Sequence, residues 1–264
     1  MNIHISDVDL FNNLRNSTIF NVEIGSRLYK INDEFSDIDI LNIYSKSDKE
    51  INSFNFSHHQ LQYKENNVDY IFLDLFNFIR NLLTGDSTIN FEVIHSDKIK
   101  NSDLNFLYEQ RKSFYNYKIM RSYLGFSRRD LKQYLEKSSD RDKNKKLIHA
   151  YRGYLFFNKI YNGEFDLNFT ADELSEISNI RNFKLYSERS EYSKYLTNLI
   201  NEKRNILTKD LENNKVIKFM DVENQKLLDE QLYLYVKSDK YTSKKLKDIN
   251  LELFYNANEN DIIY

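Results

Sequence analysis

The sequence predicts an α+β chain, with strands and helices mixed in the first hundred residues and a helical remainder. Three observations carry this. Short β-branched and aromatic runs occur only before about residue 100. From about Asp103 onward, apolar residues recur at three-and-four spacing. The 264 residues contain no proline and only five glycines, so little breaks the later helices. The expected division is residues 1–100 and 101–264.

The elements follow in order. "TIFNVEI" (Thr18–Ile24) reads as a strand. "SDIDILNIY" (Ser36–Tyr44) alternates, with Ile38 and Ile40 on one side and Asp37, Asp39 and Leu41 on the other. "NVDYIFLDL" (Asn67–Leu75) reads as a third strand, followed by a helix through "FNFIRNLLTG" that Gly85 ends. The segment from Asp103 to Lys137 and "DKNKKLIHAYRGYLFFNKIYNG" read as long amphipathic helices, the second closed by Gly163. "TADELSEISNI" opens with a Thr170–Glu173 capping box, and "EYSKYLTNLINEKRNIL" is another helix. The Tyr-rich C-terminal stretch is expected to be a helix packed on the helical domain.

Composition excludes some chemistry. There is no cysteine, so disulfides and thiolate metal sites are absent. A net charge of −2 provides no bulk positive field, so nucleic acid would need a local patch. The 20 Tyr and 19 Phe, with no Trp, suit an A/T-rich coding bias rather than a function. No apolar run approaches the ~18 residues of a membrane span, and "MNIHISDVDLF" lacks a basic-then-apolar leader pattern. A cytoplasmic protein with no membrane partner is expected.

Chemistry concentrates in "IGSRLYKINDEFSDIDIL". Asp37 and Asp39 stand at i and i+2, so a strand projects both from one face. Two such carboxylates repel unless a cation lies between them. Hard divalent cations take carboxylate oxygens and keep positions open for phosphate and water. Two of them roughly 4 Å apart can hold the attacking and leaving oxygens of a phosphoryl displacement. Gly25 lets backbone N–H groups approach a phosphate, and the Ser26 hydroxyl adds a donor.

An apolar residue, Gly-Ser, ten residues, then Asp-apolar-Asp-apolar resembles the signature of the DNA polymerase β-like nucleotidyltransferase superfamily. Within it, "GSRLYKINDEFSDIDILNIY" is similar to the Gly-Ser-Arg-x-aromatic-Gly…Ser-Asp-x-Asp…Tyr pattern of predicted nucleotidyltransferases associated with RNA ligases. The resemblance runs from about Ile24 to Arg181. Gly85 and Glu92 keep the spacing of a later Gly-Asn-Pro-x-x-x-x-Glu element, with Asp86-Ser87 in place of Asn-Pro. Lys145, His149 and Arg152 match a Lys-x-x-x-His-x-x-Arg helix, and Lys30 stands where the first motif has its second glycine.

The resemblance implies a mixed sheet with flanking helices, followed by a helical domain closing a cleft. It requires a third carboxylate, for which Asp69 is the candidate. Asp74 is better explained as a helix N-cap, and Glu65 as a turn residue. Asp37, Asp39 and Asp69 would then be the catalytic metal ligands for two Mg²⁺ ions, or Mn²⁺ in their place. The substrate would be an NTP whose phosphates meet Gly25, Ser26, Arg27, Lys145, His149 and Arg152. Arg27 reads equally as a partner of a structural carboxylate. The acceptor implied is an RNA 3′ hydroxyl, in tRNA or in repair. The alternatives are a Ser, Thr or Tyr hydroxyl of a protein, and a non-catalytic nucleotide- or RNA-binding module. Arg128-Arg129 and Lys143-Lys145-Lys146 read as solvated helix surface paired with Glu136, Asp140 and Asp142. His58-His59 reads as loop and His95 as surface.

Overall fold

The computed structural model describes residues 2–32, 36–46, 60–164 and 166–245. His58-His59, residues 33–35 of the Gly-Ser motif segment and residues 246–264 of the Tyr-rich stretch lie outside them. The chain forms two compact units. One comprises Met1–Arg80, Ser96–Tyr108 and the segment from Lys226 on, and the other Asn81–His95 and Glu109–Gln225.

The first unit is built on a five-stranded mixed sheet. Its strands are β1 (Asn2–His4), β2 (Thr18–Glu23), β3 (Ile38–Tyr44), β4 (Gln60–Glu65) and β5 (Val68–Asp74), in the order β1-β4-β5-β3-β2. β3 and β5 run parallel at its centre, and β2 and β4 flank them antiparallel. Helix α1 (Val8–Asn16) is capped by Asp7, whose side chain accepts from the Leu10 amide at 2.9 Å. It lays Leu10, Phe11 and Leu14 on Tyr44, Leu61 and Phe72, and the Phe11 ring stacks on Tyr63 at 4.0 Å. β4 and β5 join through Asn66-Asn67, both at positive φ (48° and 65°). That is the two-residue turn whose twist suits a hairpin, and asparagine tolerates it better than most residues. Glu65 is the last residue of β4, facing Val68 across this turn.

β3 does not alternate inside to outside as its sequence suggests. It lies between two strands, and Leu41 to Tyr44 are all buried. Interior strands are covered on both faces, which removes the alternation. β5 shows the same gradient, half-buried at its start and buried from Phe72 to Asp74. Helix α2 (Leu75–Thr84) follows directly. Gly85, at φ 66°, closes it, and the Asp86 amide donates back to the Asn81 carbonyl at 3.1 Å.

The second unit is helical. Ser87 caps α3 (Thr88–Ile94), which explains how Asp86-Ser87 serves in place of Asn-Pro. The helical run expected from Asp103 to Lys137 is broken. α4 (Asp97–Lys100) and all but the last residue of α5 (Asn105–Glu109) belong to the first unit, and the chain then returns to the second with a 3₁₀ turn at Arg111–Phe114 and α6 (Tyr117–Glu136), capped by Asn116. Next come α7 (Asp140–Tyr161), α8 (Ala171–Arg181) and α9 (Tyr186–Glu212). α7 ends at Gly163, φ 72°, and α8 begins with the expected Thr170–Glu173 capping box. The chain continues through α10 (Val222–Val236) and α11 (Asp239–Thr242). From Lys226 on, this segment belongs to the sheet unit, not to the helical one as expected. Tyr235 packs near Phe106 and Tyr241, and the buried Tyr241 hydroxyl accepts from the Lys46 amide at 3.2 Å.

His95 is not a surface residue. Its Nδ1 bonds the Phe91 carbonyl at 2.8 Å, its Nε2 meets the Tyr115 hydroxyl at 3.0 Å, and its ring lies 4.6 Å from Phe91. Burial lowers its pKa from 6.5 to about 4, with the Arg111 charge adding to the effect. Between these values the unfolded chain binds a proton at this site that the folded chain refuses. Stability is therefore full above pH 6.5 and is lost as pH falls toward 4, by up to about 1.4 kcal/mol per pH unit from this residue. Urea unfolding of wild type and His95→Gln across that range should show a shallower acid decline in the variant. Identical slopes would contradict the assignment.

Candidate active site

The decisive geometry is a register. Asp39 on β3 lies directly opposite Asp69 on β5, and Asp69 lies opposite Lys64 on β4. Residues in one register row point to one face of a sheet. α1 covers the face carrying Tyr70 and Phe72, so Asp39 and Asp69 share the other face. Both are half-buried, at the ends of β3 and β5 that precede the buried core. Asp37 is exposed and stands one residue before the first paired residue of β3. The Lys64 ammonium lies 3.4 Å from the Asp69 carboxylate.

Asp74 occupies the opposite end of the same strands, paired in register with Tyr44. It is buried, and its side chain accepts from the Asn77 amide at 3.0 Å, as a helix N-cap does. It also faces the buried Lys46 ammonium at 3.6 Å, a partner the spacing of the sequence did not suggest. Asp74 therefore holds the strand–helix junction.

The Gly-Ser motif reaches Asp39 across β2. The Ile24 amide donates to the Asp39 carbonyl at 2.9 Å. Gly25 turns at φ 69°, and a Cβ there would lie 3.6 Å from an Asp39 carboxylate oxygen. Positive φ, rather than lack of space, selects glycine. The Ser26 carbonyl accepts from the Ile31 amide at 3.0 Å. Arg27 donates to the main-chain carbonyls of Ser36 and Asp37, each at 3.4 Å, tying the Gly-Ser turn to the start of β3. Lys30 has φ 57°. The position where the resembled motif carries glycine takes the left-handed conformation in this chain, and lysine holds it at a cost.

On α7, Lys145 is exposed, His149 half-buried and Arg152 buried. Glu92 is buried as well, 3.5 Å from the Tyr123 hydroxyl. Burial, reinforced by the Glu92 charge, holds that phenol well above its usual range. Lys146 pairs with Asp130 at 2.8 Å and Asp140 with Arg189 at 3.0 Å, two ion pairs the sequence reading did not name.

The family model of the RNA repair pathway DNA polymerase beta family, RlaP, matches residues 8–252. The chain belongs to this family. It is a nucleotidyltransferase with the polymerase β-like architecture, as the motifs implied. Among solved structures, a nucleotidyltransferase-like protein from Exiguobacterium sibiricum 255-15 is similar over 96% of this chain and 89% of its own, at 10% identity and a TM-score of 0.33. A comparison with curated proteins finds no match.

Among the described residues, no group of three or more His, Asp or Glu side chains is close enough to form a metal cage. Mg²⁺ is characteristically held by one or two carboxylates, with waters and substrate phosphates completing the shell. The adjacent all-oxygen pair Asp39 and Asp69 fits that preference, and a cationic Lys64 already stands against Asp69.

Three stability measurements test this local picture. Asp74→Ala should cost about 3–5 kcal/mol, because it leaves the buried Lys46 charge uncompensated. Asp69→Ala should change stability by no more than about 0.5 kcal/mol, since its ion pair is exposed. Lys30→Gly should stabilise the fold by about 1 kcal/mol, raising Tm by ~2–4 °C, by relieving the left-handed strain. A drop in Tm on that substitution would show that the lysine side chain matters more than its backbone.

Proposed function

We propose that this nucleotidyltransferase moves an NMP from an NTP to an RNA 3′ hydroxyl, with divalent metal. The observation that carries this is the Asp39–Asp69 register beside the Gly25-Ser26 turn. The RNA repair description of the family supports RNA as acceptor. In this proposal the acceptor hydroxyl gives up its proton to solvent, its oxygen forms a bond to the α-phosphorus, and the bond to the departing pyrophosphate breaks.

Asp37, Asp39 and Asp69 would hold Mg²⁺. Bound there, the metal supplies Lewis-acid stabilisation of charge on the phosphoryl oxygens. Asp39, between the Gly-Ser turn and β5, is common to the nucleotide and acceptor sides. Asp69 serves the acceptor side. The Gly25 turn and the Ser26 hydroxyl orient the phosphates that depart. Arg27, through the Ser36 and Asp37 carbonyls, keeps this turn in place against β3. Positioning and electrostatics suffice for such a transfer, so no side-chain nucleophile is needed.

The test is incubation of the full chain with Mg²⁺ and each α-labelled NTP, offering RNA with a free 3′ hydroxyl and, separately, protein acceptors. Label should enter the RNA. Asp39→Asn and Asp69→Asn should each lower transfer by at least about a hundredfold while retaining the wild-type thermal transition. Chelation should abolish transfer reversibly. Label confined to protein would overturn the RNA acceptor, and no label in any acceptor would overturn the transfer itself.

A further inference from the structure

A chain with a net charge of −2 can hold a polynucleotide only through a local patch. One such patch lies in the loop after α9, where the chain meets the start of α6. Asn214 turns at φ 55°, and the Lys215 amide donates to the Asp210 carbonyl at 2.8 Å. The Ile217 carbonyl accepts from the Tyr117 amide, the first of α6, at 2.8 Å. Met220 is buried, and Asp221 accepts from the Asn224 amide at 2.9 Å as α10 begins. The loop backbone is therefore held on both sides of Phe219. Within it, Ile217 and Phe219 stay 52% and 51% exposed.

Exposed apolar side chains are common singly, and cations set this one apart. The Lys118 ammonium, from the first turn of α6, lies 4.7 Å from the Phe219 ring centroid, and the Lys218 ammonium lies 5.5 Å from it. Both are within cation–π range. Arg121, one turn beyond Lys118, is exposed. The carboxylates bounding the loop are engaged elsewhere. Asp210 pairs with Lys215 at 3.7 Å and accepts from the Tyr161 hydroxyl, and Asp221 caps α10. Among the described residues, Lys118 and Lys218 form no ion pair. Lys118 also stands at the positive end of a 20-residue helix, which raises the potential there further. An anion beside the ring would relieve it.

A single-stranded polynucleotide fits this arrangement. A nucleobase stacks on an exposed aromatic face, and its flanking phosphates meet the neighbouring ammonium groups. Lys218 is exposed and lies on the loop itself, so it can leave the ring for a phosphate. A duplex keeps its base faces covered, and an acidic peptide offers charge without a base. We infer that Phe219, Lys118 and Lys218, with Arg121, form a docking surface for single-stranded RNA on the helical unit. Phe219 stacks one base, and the cations hold the phosphates beside it. That the strand is RNA rests on the acceptor proposed above. The surface itself lies outside the motifs that implied the transfer chemistry.

The full chain lacks tryptophan, so Phe219→Trp places a single fluorescent reporter on the loop. It is titrated in EDTA, which removes metal-bridged contributions, with a single-stranded RNA of about six nucleotides. We expect saturable quenching as a base stacks on the indole. Tyr186→Trp, an exposed position at the opposite end of the 27-residue α9, should show none. By anisotropy of labelled RNA, Phe219→Ala should weaken binding about tenfold with an unchanged salt slope. Lys118→Gln and Lys218→Gln should each lower the slope of log K against log salt by about 0.7. Absence of binding, equal quenching at both reporters, or wild-type affinity in Phe219→Ala would overturn the surface. Equal binding of a blunt RNA duplex or a polyglutamate peptide would overturn it too. Label transfer to RNA without this binding would remove the surface and leave the transferase. Binding without label transfer would do the reverse.

Discussion

A one-residue slip between β3 and β5 would turn Asp69 to the opposite face of the sheet from Asp39. Everything proposed for the site depends on that register, and several contacts fix it. The Asn66-Asn67 turn sets β4 against β5. The buried Asn42 amide donates to the carbonyls of Ile40 and Ile71, at 3.3 and 3.4 Å, linking the two central strands. At the far end, Asp74 is pinned by Asn77 and Lys46. The carboxylate end can stay half-open to solvent because the other end is closed.

This explains a division of labour between two aspartates five residues apart. Asp69 and Asp74 lie on the same short strand, yet one sits where the sheet meets water and the other inside it. An exposed carboxylate keeps its affinity for an arriving cation. A buried one that already has an ammonium and an amide is committed to structure.

The central strands and α2 were legible because their apolar runs and the Gly85 stop are strong local signals. β1, β4 and α1 were not. "QLQYKE" and "VDLFNNLRN" are largely polar, and each becomes regular only through its neighbours: β5 for the first, the sheet face for the second. Asp74 could be read as a cap from the helix that follows it. Its Lys46 partner is 28 positions earlier and no local pattern announces it. Likewise, the i, i+4, i+7 pattern exposes Lys145, His149 and Arg152. That Phe126 and Arg129 stand opposite them is a fact of helix packing, which one-dimensional spacing does not encode. The left-handed backbone at Lys30 was hidden for another reason. A lysine gives no signal for it, and only the motif's missing glycine hinted at it.

The sheet unit is assembled from three stretches of chain, the last beginning at Lys226. Lys46 and Tyr241, joined by one hydrogen bond, are separated by 195 positions. Closing so long a loop carries an entropic cost that must be met before the contact returns anything. On a ribosome, the residues of the helical unit have all emerged before the sheet unit receives its final piece. The order of synthesis therefore favours the helical unit condensing first as an insertion, while the strands that carry the aspartates wait for the last helices to complete their support.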